Sequence, residues 1–320
     1  MYLLELGGED DALAACEARS AASGLEELAP GLAVARGIDE ERVRGLAYTH
    51  RASRLIGHGD ASLAAARAIV EATRIDRSGS VRVRARRVRE TTGIDTQRAE
   101  RELGSILVEE GFSVDLEDPD HELRAVFSDD VCALGWLAAE SVRDFGARKP
   151  SRKPFFQPGS MDPLLARALA NVAGAGPGAT LLDPMCGTGG VLVEAGLAGS
   201  DVVGLDAQWK MVRGAHENLE RYLDDGFHLV RGDATALPFP DGAMDGVVFD
   251  APYGRQSRIE GELGSLVAGA LSEARRVAPR AVVVADRSWT DAAERAGWTV
   301  EARFERRVHG SLTRYVLVLV

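Results

Sequence analysis

The sequence predicts an α/β protein whose carboxyl-terminal half is a Rossmann-like parallel sheet, preceded by smaller α/β lobes. Three observations carry that expectation. From about residue 155 onward, short apolar runs alternate with helical stretches, which is the pattern of strands joined by crossover helices. Four of those runs close on an acid, at Asp183, Asp206, Asp233 and Asp250. A stretch at 144–158, DFGARKPSRKPFFQP, carries three prolines and four basic residues without an apolar period, and it divides the chain.

Residues 1–57 open with an apolar strand, Tyr2 to Leu6, followed by a helical stretch with Leu13 and Cys16 at helical spacing. A second extended piece, Leu32 to Ala35, precedes a helical pattern around Val43 and Leu46. Residues 58–140 form a second lobe. It begins with Ser62 ahead of the helical Leu63 to Thr73, and it contains the alternating run Ser80 to Val88. That run sets valines on one face and Arg82, Arg84, Arg86 on the other, with Arg87 beside them. Such a ladder is ordinarily a solvated edge strand guarded by charge. A helix from Gln97 to Glu110 and strands at Val114 to Leu116 and Leu123 to Phe127 complete the lobe. Residues 141–157 are a linker, and residues 158–320 are long enough for a complete α/β domain.

Composition excludes several classes. No run reaches the ~20 apolar residues of a membrane-spanning helix, so no membrane partner is expected, and the start MYLLELGGEDD lacks the basic and apolar regions of a leader. A cytoplasmic protein is expected. Three scattered cysteines make neither a zinc-ribbon pattern nor a disulfide framework, and no metal site is expected. The formal net charge of −11 argues against a nucleic-acid partner when taken alone. Arginine, however, supplies nearly all positive charge, with lysine only at 149, 153 and 210, and alanine is abundant. That bias fits a GC-rich source with a high-salt cytoplasm, in which acidity serves solubility.

The chemistry concentrates in the carboxyl-terminal half. Ala179 to Asp183 reads as a strand, Pro184 to Gly190 as a glycine-rich turn and Val191 to Ala195 as a helix start. Glycines let backbone approach a ligand closely. A P-loop requires a Gly-Lys-Ser/Thr ending, which is missing. A dinucleotide turn places pyrophosphate over the helix, and Asp183 would repel it. S-adenosylmethionine, cationic at its amino-acid end, suits an acidic glycine turn. Candidate cofactor contacts are therefore Asp183, Cys186, Gly187 and Gly189, with Asp206 for the ribose hydroxyls and Asp233 for the adenine amine. Each Asp taken singly also fits a helix N-cap.

The fourth run, Gly246 to Asp250, leads into Ala251-Pro252-Tyr253-Gly254. An exocyclic amine on a nucleobase is a poor nucleophile because its lone pair is delocalised into the ring. A carboxylate and a backbone carbonyl accepting from its N–H groups favour the rehybridised nitrogen. Asp250 is the candidate carboxylate, Ala251 or Pro252 the carbonyl, and Tyr253 a stacking platform for an extruded base.

Asp250-Ala251-Pro252-Tyr253 resembles the (Asp/Asn/Ser)-Pro-Pro-(Tyr/Phe) motif of class I amino-methyltransferases of DNA and RNA bases, with alanine for the first proline. Arg152 to Pro163 is similar to the segment preceding the cofactor loop in THUMP-domain tRNA guanine-N2 methyltransferases, and His309 to Arg314 looks like their carboxyl-terminal hairpin. The resemblance implies a class I methyltransferase domain behind an N-terminal ferredoxin-like lobe and a THUMP RNA-binding domain. It implies S-adenosylmethionine as cofactor, tRNA as partner and the N2 amine of guanosine 10 as target, methylated once and then a second time. It also adds Phe156, Pro158 and Gly159 as contacts to the methionine end of the cofactor. It turns Arg82, Arg84, Arg86, Arg87, Lys149, Lys153 and Arg314 into candidate RNA contacts. The reading fits a monomer or a chain working with an accessory protein. Competing expectations are an amino-methyltransferase with another guanine or adenine target, and a non-catalytic RNA-binding protein on a degenerate methyltransferase fold.

Overall fold

The computed structural model describes residues 1–252, 260–309 and 312–320, and divides into two compact units, Met1–Val142 and Arg143–Val320. The first unit runs β1 (Tyr2–Leu6), α1 (Asp11–Ala18), β2 (Ala22–Ser23), β3 (Glu26–Ala29), β4 (Leu32–Ala35), β5 (Gly37–Ile38), α2 (Glu40–Arg44), β6 (Thr49–Asp60), α3 (Leu63–Ala72), β7 (Ser80–Arg87), α4 (Thr96–Glu109), β8 (Ser113–Val114), β9 (His121–Ser128) and β10 (Val131–Glu140). Its helices start at acidic or hydroxyl caps. Asp10, Asp39, Ser62 and Asp95 each accept a backbone N–H three residues on, satisfying donors that the first helical turn leaves open.

These strands make one sheet in the order β3-β4-β1-β6-β10-β9-β7-β8, with β2 and β5 paired apart. The expected boundary between residues 57 and 58 falls inside β6, a twelve-residue strand that pairs with β1 along its first half and with β10 along its length. The two expected lobes thus share a sheet. Under β7, Val81 and Val83 pack with Leu103 and Leu107 of α4, Phe127 of β9 and Trp136 of β10. The valine face points inward, as expected from the alternation.

The second unit begins with two short 3-10 turns, Phe145–Arg148 and Pro150–Arg152, where a linker was expected. There follow α5 (Pro163–Val172), β11 (Thr180–Asp183), α6 (Gly190–Leu197), β12 (Asp201–Asp206), α7 (Trp209–Tyr222), β13 (Phe227–Arg231), β14 (Gly246–Asp250), α8 (Glu260–Val277), β15 (Ala281–Ala285), α9 (Thr290–Arg295), β16 (Val300–His309) and β17 (Leu312–Leu319). The sheet order is β13-β12-β11-β14-β15-β17-β16, parallel through the first five strands, with β17 antiparallel to β15 and β16. From β11 the chain winds outward through β12 to β13, then returns to start the other half at β14. The β11–β14 junction is therefore a topological switch point, where the crevice beyond the strand ends is the usual ligand site in such sheets.

Candidate active site

Asp183 and Asp250 end the two strands that flank the switch point, Asp206 ends β12 beside β11, and Asp233 lies two residues past the end of β13. Sequence alone placed these acids at strand ends; the sheet order makes their ends neighbours. Beyond them lies a cavity of about 190 Å3, lined in part by Pro158, Gly159, Met161, Asp183, Cys186, Gly187, Met211 and Asp250.

The turn between β11 and α6 takes its shape from two left-handed glycines, Gly187 at φ +52° and Gly189 at φ +71°. They serve different ends. A Cβ on Gly187 would meet nothing closer than 4.0 Å, so its bare backbone leaves room for a ligand. A Cβ on Gly189 would lie 2.8 Å from Leu219 and 3.2 Å from Ala215, so its bareness lets α7 pack. Gly189 is thus a packing glycine rather than a lining residue. The turn is held by Asp206, which accepts from Gly187 N–H at 3.1 Å and from Gln208 N–H at 2.8 Å. It is also held by Cys186 N–H, which donates to Leu205 O at 2.9 Å.

Asp183 is 3% exposed and accepts from Met185 N–H at 3.0 Å. Burial pushes its carboxyl well above the usual range, and the negative charges of Asp250 and Asp206 push it further. Burial and the same acidic surroundings push the Cys186 thiol up, leaving it a poor nucleophile. A crevice that crowds carboxylates in this way favours a cation, and S-adenosylmethionine brings both an ammonium and a sulfonium. The donor set fits it. Asp233 is exposed and lies apart from this cavity; it accepts from the N–H and hydroxyl of Thr235, which hold its carboxyl below the usual range.

The second wall comes from the segment before α5. Pro158 and Gly159 line the cavity, whereas Phe156 is 49% exposed and does not. Its neighbour Phe155 is the anchor. The ring of Phe155 fills a notch at Gly214 of α7, where a Cβ would lie 2.0 Å from Cδ1, and Lys210 sits 5.8 Å over it. Asn218, fully buried on α7, accepts from Phe155 N–H and donates to Phe155 O and to Thr188 O. One amide thereby ties the segment to the glycine turn. Ser160 adds a hydroxyl contact to Thr188 at 3.2 Å. Sequence reasoning missed Asn218. The available signal was a polar residue four after Gly214, on the same side of an otherwise amphipathic helix.

At the end of β14, Ala251 is buried and its N–H donates to Val284 O at 2.8 Å, extending the ladder by one bond that a proline could not make. Pro252 is exposed, and Tyr253 lies outside the described residues. Among the described residues no cluster of His, Cys, Asp or Glu could hold a metal ion.

The candidate RNA contacts separate. Arg82 pairs with Glu122 at 2.5 Å, Arg86 with Glu5 at 3.5 Å and Arg87 with Glu90 at 2.7 Å. The ladder, Arg84 included, is half-buried rather than fully solvated, and Glu122 of β9, Glu5 of β1 and Glu90 just past β7 stand against its arginines. Lys149 is exposed, whereas Lys153 is buried with its Nζ close to Gly190 at the start of α6. Desolvation lowers its pKa. Arg148, in the same basic stretch, is buried and pairs with the fully buried Glu194 of α6 at 2.7 Å, with Arg167 of α5 joining at 3.1 Å. Half of the apparent basic track is therefore structural. Arg314 is also buried, 3.9 Å from Asp250.

Residues 150–316 match the RMKL-like methyltransferase domain, and residues 63–136 match the THUMP domain. The chain is 38% identical to a tRNA (guanine(10)-N2)-dimethyltransferase of Methanothermobacter thermautotrophicus, over 86% of this chain and 83% of that one. It is 34% identical to the enzyme of the same name from Pyrococcus abyssi, over 70% and 69%. The crystal structure of TrmN from Thermus thermophilus superposes with a TM-score of 0.51 at 26% identity, covering 99% of this chain and 98% of that one. With the switch-point acids, the glycine turn and the THUMP match all in one polypeptide, the chain belongs to the RMKL-like, THUMP-bearing methyltransferases, the family of these two archaeal enzymes.

Proposed function

We propose that this protein methylates the N2 amine of guanosine 10 in tRNA, using S-adenosylmethionine as donor. The observation that carries the reading is the pairing of Asp183 and Asp250 at the switch point across one cavity, the first beside a glycine turn and the second at the head of an Asp-Ala-Pro-Tyr sequence. Similarity to enzymes named for that activity supports the target.

When bound, S-adenosylmethionine supplies an electrophilic methyl group. Asp183, with the bare backbone at Gly187, favours the cationic end of the donor, and Asp206 holds the turn; Asp233, outside the cavity, would meet the adenine amine only if the donor extends past the cavity toward β13. Asp250 accepts a hydrogen bond from the guanine N2–H. The carbonyl of Ala251 or Pro252 accepts from the second N–H, drawing the nitrogen out of conjugation. With the donor in place, the nitrogen lone pair would be free to take the methyl group that the donor supplies, and the proton shed by the nitrogen would pass to the Asp250 carboxylate or to solvent. Tyr253 stacks on the extruded base. In the amino-terminal unit, Arg84 and its neighbours on β7 present partly compensated charge to the RNA backbone, and Lys149 adds an exposed charge. A cytoplasmic place of work fits a chain whose three cysteines are free thiols.

The test is to incubate protein, labelled donor and unmodified tRNA transcript in high salt and to map the product by mass spectrometry. Methyl on N2 of guanosine 10 is expected. Asp250→Ala abolishes transfer and leaves donor affinity within about twofold, since Asp183, Asp206 and the glycine turn are unchanged and easier ionisation of Asp183 offsets the lost charge. Methyl on an adenine, or no transfer at all, overturns the reading.

A further inference from the structure

Arg314 was expected to meet RNA, yet it is 8% exposed and out of reach of a phosphate backbone. The sheet explains where it goes instead. Asp250 of β14 stands in register with Val284 of β15, and Val284 with Val316 of β17. Because β17 runs antiparallel, the residue two before Val316 lies toward the carboxyl ends of β14 and β15. Two strand spacings across the sheet and two residues along it, about 12 Å in all, separate its backbone from that of Asp250. A long side chain is needed to cross β15. The guanidinium of Arg314 does so, with Nη2 3.9 Å from Asp250 Oδ2, and the same nitrogen donates to Gly159 O at 3.5 Å. Gly159 and Asp250 both line the cavity. One cation therefore stands between the acceptor strand end and the segment that forms the opposite wall.

We infer that Arg314 is a positioning residue for methyl transfer, holding the Asp250 carboxylate in place relative to the donor segment at Gly159. The inference rests on the functional reading above and deepens it. Asp250 shares the cavity with Asp183, and their mutual repulsion disfavours a fixed geometry for either. A guanidinium 3.9 Å from Oδ2 attracts the carboxylate across that gap and offsets the repulsion. The hydrogen bond from the guanine amine then meets an acceptor that does not have to reorganise. The bond to Gly159 couples this alignment to the wall of the donor pocket.

The experiment compares wild type with Arg314→Met, Arg314→Lys and Arg314→Ala, using saturating donor and unmodified tRNA. Loss of a charge-assisted contact predicts a kcat lower by about 10- to 100-fold in Arg314→Met. The dissociation constants for tRNA and for S-adenosylhomocysteine should stay within about twofold of wild type, because neither ligand is bound by the guanidinium. Arg314→Lys should recover part of the rate, and millimolar guanidinium ion should raise the rate of Arg314→Ala, which a merely structural role would not allow. Wild-type kcat in Arg314→Met, or weakened tRNA binding at unchanged kcat, overturns the inference and returns Arg314 to the RNA surface. Equal loss of kcat in all three variants with a lowered melting temperature and no rescue also overturns it. A wild-type protein that transfers no methyl to tRNA refutes the functional reading itself, separately from the variants.

Discussion

Replacing Asn218 by alanine tests how the donor pocket is held. The side chain is fully buried and makes three hydrogen bonds of 2.8–2.9 Å, to Phe155 N–H, Phe155 O and Thr188 O. Each net contribution is about 1 kcal/mol, so the second unit should lose about 3 kcal/mol, a large share of a typical 5–15 kcal/mol. The effect extends to function because the anchored segment supplies Pro158, Gly159 and Met161 to the cavity. If half of the lost ordering must be regained on binding, donor affinity falls by about tenfold. Urea unfolding followed by the fluorescence of Trp209, Trp289 and Trp298 reports the second unit, and calorimetry with S-adenosylhomocysteine reports the site. Asn218→Asp should be worse than alanine, since a carboxylate cannot donate and would face two carbonyl oxygens. An unchanged unfolding midpoint with unchanged affinity, or an aspartate variant better than alanine, would refute the reasoning.

Glu194→Gln leaves Arg148 and Arg167 buried against a neutral partner and should cost about 3–5 kcal/mol, seen as a lower melting temperature. Ala251→Pro brings the strand end closer to the family motif but removes the donor to Val284 O; a loss of about 1–3 kcal/mol in stability is expected, and a gain would contradict the hydrogen-bond argument. Donor affinity should depend on pH through Asp183. Its pKa is raised in the folded protein, so the carboxyl stays protonated above its ordinary value of 3.8, and a cationic ligand must drive the proton off. Binding therefore strengthens as pH rises from that value toward the raised one and levels above it. Calorimetry in two buffers of different ionisation enthalpy should detect proton release, which Asp183→Asn should abolish. By the same linkage, the buried carboxyl favours the unliganded fold below the unfolded pKa, and that advantage is lost as pH rises toward the folded value.

Periodicity and chemistry along the chain were enough to read the second unit. Runs such as Gly246 to Asp250 are apolar because both faces of a central parallel strand are covered, and each ends where solvent begins, so an acid there is visible without coordinates. The Asp-Ala-Pro-Tyr sequence and the glycine turn were legible for the same reason: their meaning depends on neighbours in sequence. β6 was not legible. Its residues THRASRLIGHGD carry arginine, histidine and glycine without strict alternation, and its pairing interrupts register with both β1 and β10. A boundary drawn at 57/58 followed local composition, whereas the sheet that crosses it is made by partners tens of residues away.

What the sequence determined by itself was the class of the fold, the order of the acids and the chemistry that they invite. Charge was read less well, because the sign of a residue says nothing about its partner. Arg148 and Lys153 look like a basic surface in a row of letters, yet one is spent on Glu194 and the other is buried beside α6. Phe155 and Phe156 are the same residue twice; only the notch at Gly214 decides which of them anchors the wall. Arg314 and Asp250 are sixty-four positions apart, and an antiparallel strand added to a parallel sheet brings them within 3.9 Å. Tertiary structure decided these pairings because burial and Coulomb attraction act on distance in space, which strand order sets and sequence separation does not.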